Sequence, residues 1–202
     1  MNTSILSMAL SALVQLLLFT SIPALVYLIY HKGFLDYIGL RRPKASSVLL
    51  AFGFAAVFVG VTLLGNRFVP GVRETSEATE TLAKVFGPDG FSFSALLTLS
   101  VMALVKTSLA EEILFRGFIG KRLMARFGFQ WGNLLQSLIF GLAHLGYFYG
   151  MNYGISAQIF FSLYAFFAAW IIGWLNERFG NGSIVPGWVM HGTINFVVRL
   201  IR

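Results

Sequence analysis

Six polar side chains lie inside apolar stretches of this 202-residue sequence, and together they have the chemistry of a hydrolase site. They are Glu111, Glu112, Arg116, His144, His191 and Asn195. A carboxylate removed from water becomes a stronger base, and neutral His or Asn N–H groups can stabilise the oxyanion of a tetrahedral intermediate. The set therefore suits cleavage of an amide by an activated water molecule.

The sequence does not favour a covalent acyl-enzyme. It contains no cysteine, and no serine lies in a Gly-x-Ser-x-Gly elbow. The lack of cysteine also excludes disulfides and thiolate zinc sites. Attack by water is thus the simplest route to hydrolysis.

Spacing along the chain distinguishes the two glutamates. Glu112 and Arg116 are four residues apart, in the order that favours an intrahelical ion pair. Glu111 lies about 100° away around an α-helix and has no such partner. We interpret Glu112 as structural and Glu111 as free to react. His191 and Asn195 are also four residues apart, so their side chains should face the same place.

The elements that carry these residues are membrane helices. The chain is 57% hydrophobic and only 11% charged, with a mean hydropathy of +0.77, which indicates an integral membrane protein. A charge at bilayer depth costs roughly 2.5–3.5 kcal/mol, so each charge there needs a partner, a wet cavity or a function. The net charge of +7 comes from basic residues that flank the apolar runs. This is the pattern of cytoplasmic anchoring and not of nucleic-acid binding.

We predict an all-α, multi-pass transmembrane bundle of about six helices, with a range of six to eight. The predicted helices cover residues 4–30 with a kink near Pro23, 46–65, 91–127, 131–149, 156–176 and a last helix that starts near Pro186. Residues 66–91 should form a solvated connector with a short surface helix around Glu74 to Phe86. The whole chain, 1–202, is expected to be one membrane domain, with N-terminal helices and connector in 1–91 and a catalytic core in 92–202.

Helix geometry also predicts the depth of the site. At about 1.5 Å per residue, Glu111, His144 and His191 all fall near the middle of the membrane. Lys106 is interpreted as structural, either paired or snorkelling. The bias of Lys and Arg favours segments 31–45, 117–130 and 176–183 on the cytoplasmic side and both termini outside. The expected location is the cell membrane.

Three motifs resemble, in order, those of the CPBP (CAAX protease and bacteriocin-processing) family, also called the Abi family. They are Glu111-Glu112-x-x-x-Arg116, Phe140-Gly-Leu-Ala-His144 and His191-Gly-Thr-Ile-Asn195. The resemblance covers about residues 92–202 and implies an intramembrane endopeptidase. It implies that Glu111 and His144 activate the water, and that His191 and Asn195 form the oxyanion hole or complete a metal site. Glu112, Arg116 and Phe140 would support the pocket.

The resemblance leaves the cofactor and the substrate open. Glu111, His144 and His191 could hold zinc, with water as the fourth ligand. The same residues could also work without a metal, which we favour because Glu111 serves better as a base than as a ligand. The substrate could be a prenylated CAAX-type tail, a pheromone or bacteriocin precursor, or another membrane protein.

Two other functions compete with a peptidase. One is a non-catalytic membrane immunity or scaffold protein that uses the same fold to bind a partner. The intact set of motif residues argues against it. The other is a small transporter, which the lack of paired repeats disfavours.

Overall fold

The structure is a computed structural model that describes residues 3–30, 33–73, 86–87 and 90–201. Its helices are α1 (Thr3–Tyr30), α2 (Phe34–Tyr37), α3 (Ala45–Phe68), α4 (Phe93–Ser100), α5 (Lys121–Gly150), α6 (Ile155–Trp174) and α7 (Val185–Ile201). Three π-helical segments extend them, Val101–Leu109, Glu112–Gly120 and Leu175–Phe179. Two short antiparallel strands, β1 (Phe86–Gly87) and β2 (Gly90–Phe91), precede α4. The surface helix predicted around Glu74 to Phe86 lies outside the described residues, except for Phe86 in β1.

The described helices form the multi-pass bundle that hydropathy predicts. Four helical segments are long and apolar enough to cross a membrane: 9–28, 45–68, 93–150 and 155–179. The third contains 58 residues, but Gly128 interrupts it with a left-handed φ of 77° and ψ of 165°. This segment is therefore divided into two helices at Gly128. The protein is an integral membrane protein with an all-α helical bundle.

Small side chains allow the helices to pack closely. Ala51 and Ala55 of α3, Ala168 and Ile172 of α6 and Met190 of α7 lie in one buried core. Close approach of this kind is how helices associate in lipid, where the hydrophobic effect between them is weak. Many long apolar side chains of α1, α3 and α5 are exposed instead, as lipid contact requires.

A fully buried polar network joins α5 to α6. The Gln136 amide donates to Asn133 Oδ1 at 2.9 Å and to the Ala169 carbonyl at 3.0 Å. The Asn133 amide donates to the Trp170 carbonyl at 3.0 Å. Gly173 permits this packing, since a Cβ at that position would overlap Asn133 Oδ1. The network fixes the helix that carries Phe140 and His144.

Three segments predicted to share the cytoplasmic side meet at one end of the bundle. Lys121 donates to Glu177 Oε1 at 2.9 Å and to the Gly182 carbonyl at 2.7 Å. The Ser183 hydroxyl donates to the Arg41 carbonyl at 2.6 Å, which ties in the loop after α2. These contacts join the start of α5 to the segment before α7, the two helices that carry His144 and His191.

The helix that carries the glutamates differs from the expected α-helix. It continues from α4 through two nine-residue π-helical segments, in which backbone bonds span five residues and not four. A side-chain hydrogen bond has the same five-residue spacing: the Ser108 hydroxyl donates to the carbonyl of Ala103 at 2.7 Å. The wider turn changes which side chains share a face, and π-helical turns occur frequently at functional sites.

Candidate active site

His191 lies between the two glutamates. Its Nδ1 is 3.1 Å from Glu112 Oε1, and its Nε2 is 3.9 Å from Glu111 Oε2. The imidazole of α7 therefore faces Glu112, the first residue of the second π-helical segment, and Glu111, which precedes it. The side chains of His191 and Glu111 are 13% and 17% exposed, whereas that of Glu112 is fully buried. The site lies inside the bundle, with limited access to Glu111.

The contact with Glu112 fixes the state of the His191 ring. A carboxylate only accepts hydrogen bonds, so Nδ1 must carry the hydrogen that it donates to Glu112. In the neutral ring, Nε2 is then a bare acceptor that faces Glu111. Neutral His191 cannot donate to an oxyanion from Nε2 and becomes a donor there only after it takes a proton. In the neutral ring, the atom of His191 nearest Glu111 is therefore a hydrogen-bond acceptor.

Arg116 balances the charge of Glu112. Its Nη1 lies 3.3 Å from Glu112 Oε1, and both side chains are almost completely buried. This confirms the ion pair predicted from the i,i+4 spacing. The guanidinium also covers the ring of Phe140, with Cζ 4.1 Å from the ring centroid, a cation–π contact. Glu112 therefore contacts both the guanidinium of Arg116 and the imidazole of His191.

Phe140 joins the three motifs. Its ring is 3% exposed and packs edge-on against His191 at a centroid distance of 6.1 Å. His144, one turn later on α5, lies 4.4 Å from the same ring. The ring contacts of Arg116, His144 and His191 with Phe140 bring residues of three helical segments to one place. The depth calculation from sequence predicted this meeting.

His144 is also fixed by a hydrogen bond at Nδ1, which lies 3.0 Å from the Phe140 carbonyl. A carbonyl accepts, so Nδ1 is the donor and Nε2 of the neutral ring is free to accept. His144 interacts electrostatically with Glu111, His191 and Arg116, which places it in the same cluster. Both histidines therefore present Nε2 as an acceptor.

Glu111 and Glu112 each have a buried Oε2 without a hydrogen-bond partner among the described residues. The Oε2 of Glu111 is the one that lies near His191 Nε2. The gap to His191 Nε2 is too long for a direct hydrogen bond. A water molecule between them could donate one hydrogen to each acceptor, which would leave its lone pairs to attack a carbonyl carbon.

Asn195 has partners that the sequence did not indicate. Its Nδ2 lies 3.1 Å from both Thr107 Oγ1 and Ser108 Oγ, on the first π-helical segment. It is one turn from His191 on α7, as the spacing predicts, but its N–H groups face these hydroxyls. Asn195 thus contacts the segment that precedes Glu111, and the oxyanion hole of His191 and Asn195 stays a prediction.

Comparison with known families agrees with this site. The family model described as type II CAAX prenyl endopeptidase Rce1-like matches residues 93–197, just over half of the chain. The chain belongs to this family. The match includes every motif residue, and it confirms the resemblance drawn from the three motifs. Comparisons with curated proteins and with solved structures gave no match.

The donors of this CAAX prenyl endopeptidase family member do not form a metal site in this geometry. Within the ranges that the structure describes, no three His, Cys, Asp or Glu side chains are grouped to hold one metal ion. The set of Glu111, His144 and His191 has suitable donor atoms, but they are not gathered around one point.

Sequence reasoning missed Thr107 and Ser108. Hydroxyl side chains are common in membrane helices, where they bond back to the preceding turn, so their types carry no functional signal. The only indication that they belong to the site is their position, four and three residues before Glu111. Lys106, which we expected to be paired or snorkelling, is partly buried in the same segment.

Proposed function

We propose that this protein is an intramembrane endopeptidase that hydrolyses peptide bonds of prenylated, CAAX-type substrates with an activated water molecule. The single observation that carries the proposal is the buried, unpartnered Oε2 of Glu111, which faces the acceptor Nε2 of His191 at 3.9 Å. Membership of the CAAX prenyl endopeptidase family supplies the substrate class.

The reaction follows from the positions of the acceptors. Glu111 takes a proton from the water while the water oxygen forms a bond to the carbonyl carbon of the substrate. This attack gives a tetrahedral oxyanion. His191 holds the second hydrogen of the water during the attack. The intermediate then collapses, the C–N bond breaks, and the protonated Glu111 delivers its proton to the leaving amine. The proton count is thus balanced without a covalent enzyme intermediate.

The remaining side chains hold the reacting groups in place. Glu112 orients His191, and Arg116 supplies the counter-charge of Glu112. Phe140 packs against both histidines and excludes water from one side of the cluster. His144 presents Nε2 to the cluster and, when protonated, can donate to the oxyanion.

The test is cleavage of a prenylated peptide that ends in a CAAX sequence, by purified protein in detergent or bilayers. We expect a single cut, seen by mass spectrometry as two products that together have gained one water. Glu111→Ala and His144→Ala should each abolish cleavage while the protein stays folded and inserted. Glu177→Ala, which removes a carboxylate at the end of the bundle, serves as the control. Full activity of the Glu111→Ala variant would end the proposal.

A further inference from the structure

A cavity of about 350 Å³ lies at the end of the bundle that the sequence predicts to be cytoplasmic. It is formed by the start of α5 and the third π-helical segment, and half of its lining side chains are apolar and half are charged. They are Lys121, Met124, Ala125, Phe129, Glu177 and Arg178. Its size falls in the range of small-molecule sites, about 300–1,000 Å³. Ala125 and Arg178 are exposed, so the cavity is accessible from outside the bundle.

A turn in the chain builds the apolar part of the cavity. Gly128 has a left-handed φ of 77°, and the chain changes direction there. A Cβ at Gly132 would overlap the backbone of Met124, so the residues after the turn pack directly on those before it. This packing brings Met124 and Phe129 to the same cavity from the two sides of the turn. Close backbone contact therefore fixes the apolar lining.

The two cations of the lining differ in what they contact. Lys121 donates to Glu177 Oε1 at 2.9 Å and to the Gly182 carbonyl at 2.7 Å, so its charge is balanced within the cavity. The Arg178 guanidinium lies over the Phe129 ring, with Cζ 4.1 Å from the ring centroid. It forms no ion pair with a carboxylate in the described part of the chain. Arg178 is thus the cation whose charge the cavity leaves unbalanced.

The contact with the ring leaves Arg178 able to bind an anion. The N–H groups of a guanidinium lie in its plane, so contact of its face with an aromatic ring does not use them. Their fork matches two oxygens of a phosphate group. Two cations and one carboxylate line the cavity, which gives it a net charge of +1. This charge matches the single negative charge of a phosphodiester and not that of a polyvalent anion.

The surroundings of the cavity favour a membrane lipid over a soluble phosphate. Phe127 and Trp131, on the two sides of the Gly128 turn, are 53% and 65% exposed. Exposed aromatic side chains of this kind lie at the level of the lipid headgroups. The three segments that meet at this end contain eight Lys or Arg residues and two Asp or Glu residues. Basic pockets between membrane helices on the cytoplasmic side bind anionic headgroups.

We propose that this cavity binds an anionic phospholipid of the phosphatidylglycerol type. The Arg178 fork binds two oxygens of the phosphodiester, and the Phe129 ring holds the guanidinium in place. Met124 and Ala125 contact the glycerol and the first acyl carbons. The lipid joins α5 to the end of α6 and so stabilises the folded protein. This site is separate from the motif residues, and the inference does not depend on the peptidase function.

Lys121 and Glu177 neutralise each other and take no part in holding the phosphate. Their pair is formed without a ligand, at 2.9 Å, and the second contact of Lys121 is to a backbone carbonyl. Binding of the lipid therefore depends on Arg178 and on the ring below it.

The first experiment measures lipid binding to the full chain by native mass spectrometry in a neutral detergent. Dioleoylphosphatidylglycerol is titrated, and its Kd is compared between variants. Arg178→Gln should raise the Kd about tenfold or more, because charge-assisted hydrogen bonds to the phosphate are lost. Arg126→Gln removes the same charge from an exposed side chain that does not line the cavity, and should raise the Kd less than about threefold. Equal increases in the two variants would overturn the site.

The second experiment removes the ring and keeps every charge. Phe129→Leu should raise the Kd about two- to fivefold, because the cation–π contact that holds Arg178 is lost. A wild-type Kd in this variant would contradict the role of the ring. If Arg178→Gln does not fold, Arg178→Lys takes its place, since it keeps the charge without the fork. It should raise the Kd at least about threefold, and an unchanged Kd would contradict binding by the fork.

The third experiment distinguishes the lipid from other ligands. Dioleoylphosphatidylcholine, in which an ammonium group balances the phosphate, should bind at least about tenfold more weakly than the anionic lipid. Inorganic phosphate and glycerophosphoglycerol, which have no acyl chains, should not displace the anionic lipid. Equal Kd values for the two lipids, or displacement by either soluble phosphate, would overturn the proposal.

Stability provides an independent measurement of the same site. At about ten times its Kd, the anionic lipid should raise the melting temperature of the wild type by about 3–5 °C and that of Arg178→Gln by about 1 °C. The same increase in both proteins would contradict binding through Arg178.

Discussion

Substitutions in the buried pair of Glu112 and Arg116 can distinguish an effect on folding stability from an effect on the cleavage rate. Their side chains are 0% and 2% exposed, and the charged atoms are 3.3 Å apart. Glu112→Leu would leave a buried guanidinium without its counter-charge, which costs about 3–5 kcal/mol of unfolding free energy. Adding Arg116→Met replaces the pair by apolar side chains of similar volume, which is often neutral or stabilising. The double variant should therefore recover most of the lost stability.

Activity should not recover with stability. In both variants His191 Nδ1 loses the carboxylate that orients the ring and fixes its hydrogen. A misplaced catalytic group typically costs about 10²-fold in rate, so both variants should cleave the prenylated peptide at least about 100-fold more slowly than wild type. Unfolding is followed by denaturant titration in detergent micelles, and cleavage is measured in the same preparations.

The control is the pair of Lys121 and Glu177 at the end of the bundle. These side chains are 16% and 28% exposed, so Glu177→Leu should cost no more than about 1 kcal/mol and leave cleavage intact. A double variant of Glu112 and Arg116 that recovers both stability and cleavage would refute the orienting role of Glu112. A single Glu112→Leu as stable as wild type would refute the account of the buried pair.

Three further outcomes are expected. Gly173→Ala should lower unfolding free energy by about 1–3 kcal/mol, because the new methyl group overlaps Asn133 Oδ1. Gly146→Ala should leave the unfolding free energy unchanged, because no atom lies within 4 Å of a Cβ at that position. Equal melting temperatures of the Gly173→Ala and Gly146→Ala variants in detergent would contradict the packing argument. Phe140→Leu should leave a folded protein with kcat/KM at least about tenfold lower, since the ring that packs on Arg116 and both histidines is lost; wild-type kinetics would contradict this. Cleavage should persist after dialysis against a chelator, because no three metal-ligating side chains are grouped among the described residues; loss of activity that zinc alone restores would reverse the metal-free mechanism.

The sequence predicted the parts of the site that depend on spacing within one helix. The i,i+4 pair of Glu112 and Arg116 is present. The common depth of His144 and His191 followed from helix rise, and their ring contacts with Phe140 agree with it. Such features need only the periodicity of a helix and the thickness of a bilayer.

Contacts between helices could not be predicted in the same way. Glu112 was interpreted as structural because of its i,i+4 spacing from Arg116, and that spacing gave no indication of its contact with His191. The π-helical segments widen the turn, and sequence gives no clear signal for them. The hydrogen bonds of Asn195 to Thr107 and Ser108 depend on how closely α7 approaches, which no single-helix pattern encodes.

The central claim is that Glu111, whose Oε2 is buried without a hydrogen-bond partner in the described part of the chain, is the base that activates water. The most direct test compares cleavage of the prenylated peptide by wild type, Glu111→Gln and the control Glu177→Gln in the same bilayers. Gln has the size of Glu but is not a base, so Glu111→Gln should stay folded and lose about 10²- to 10⁴-fold in kcat, whereas Glu177→Gln should match wild type. Cleavage by Glu111→Gln at the wild-type rate would contradict the mechanism.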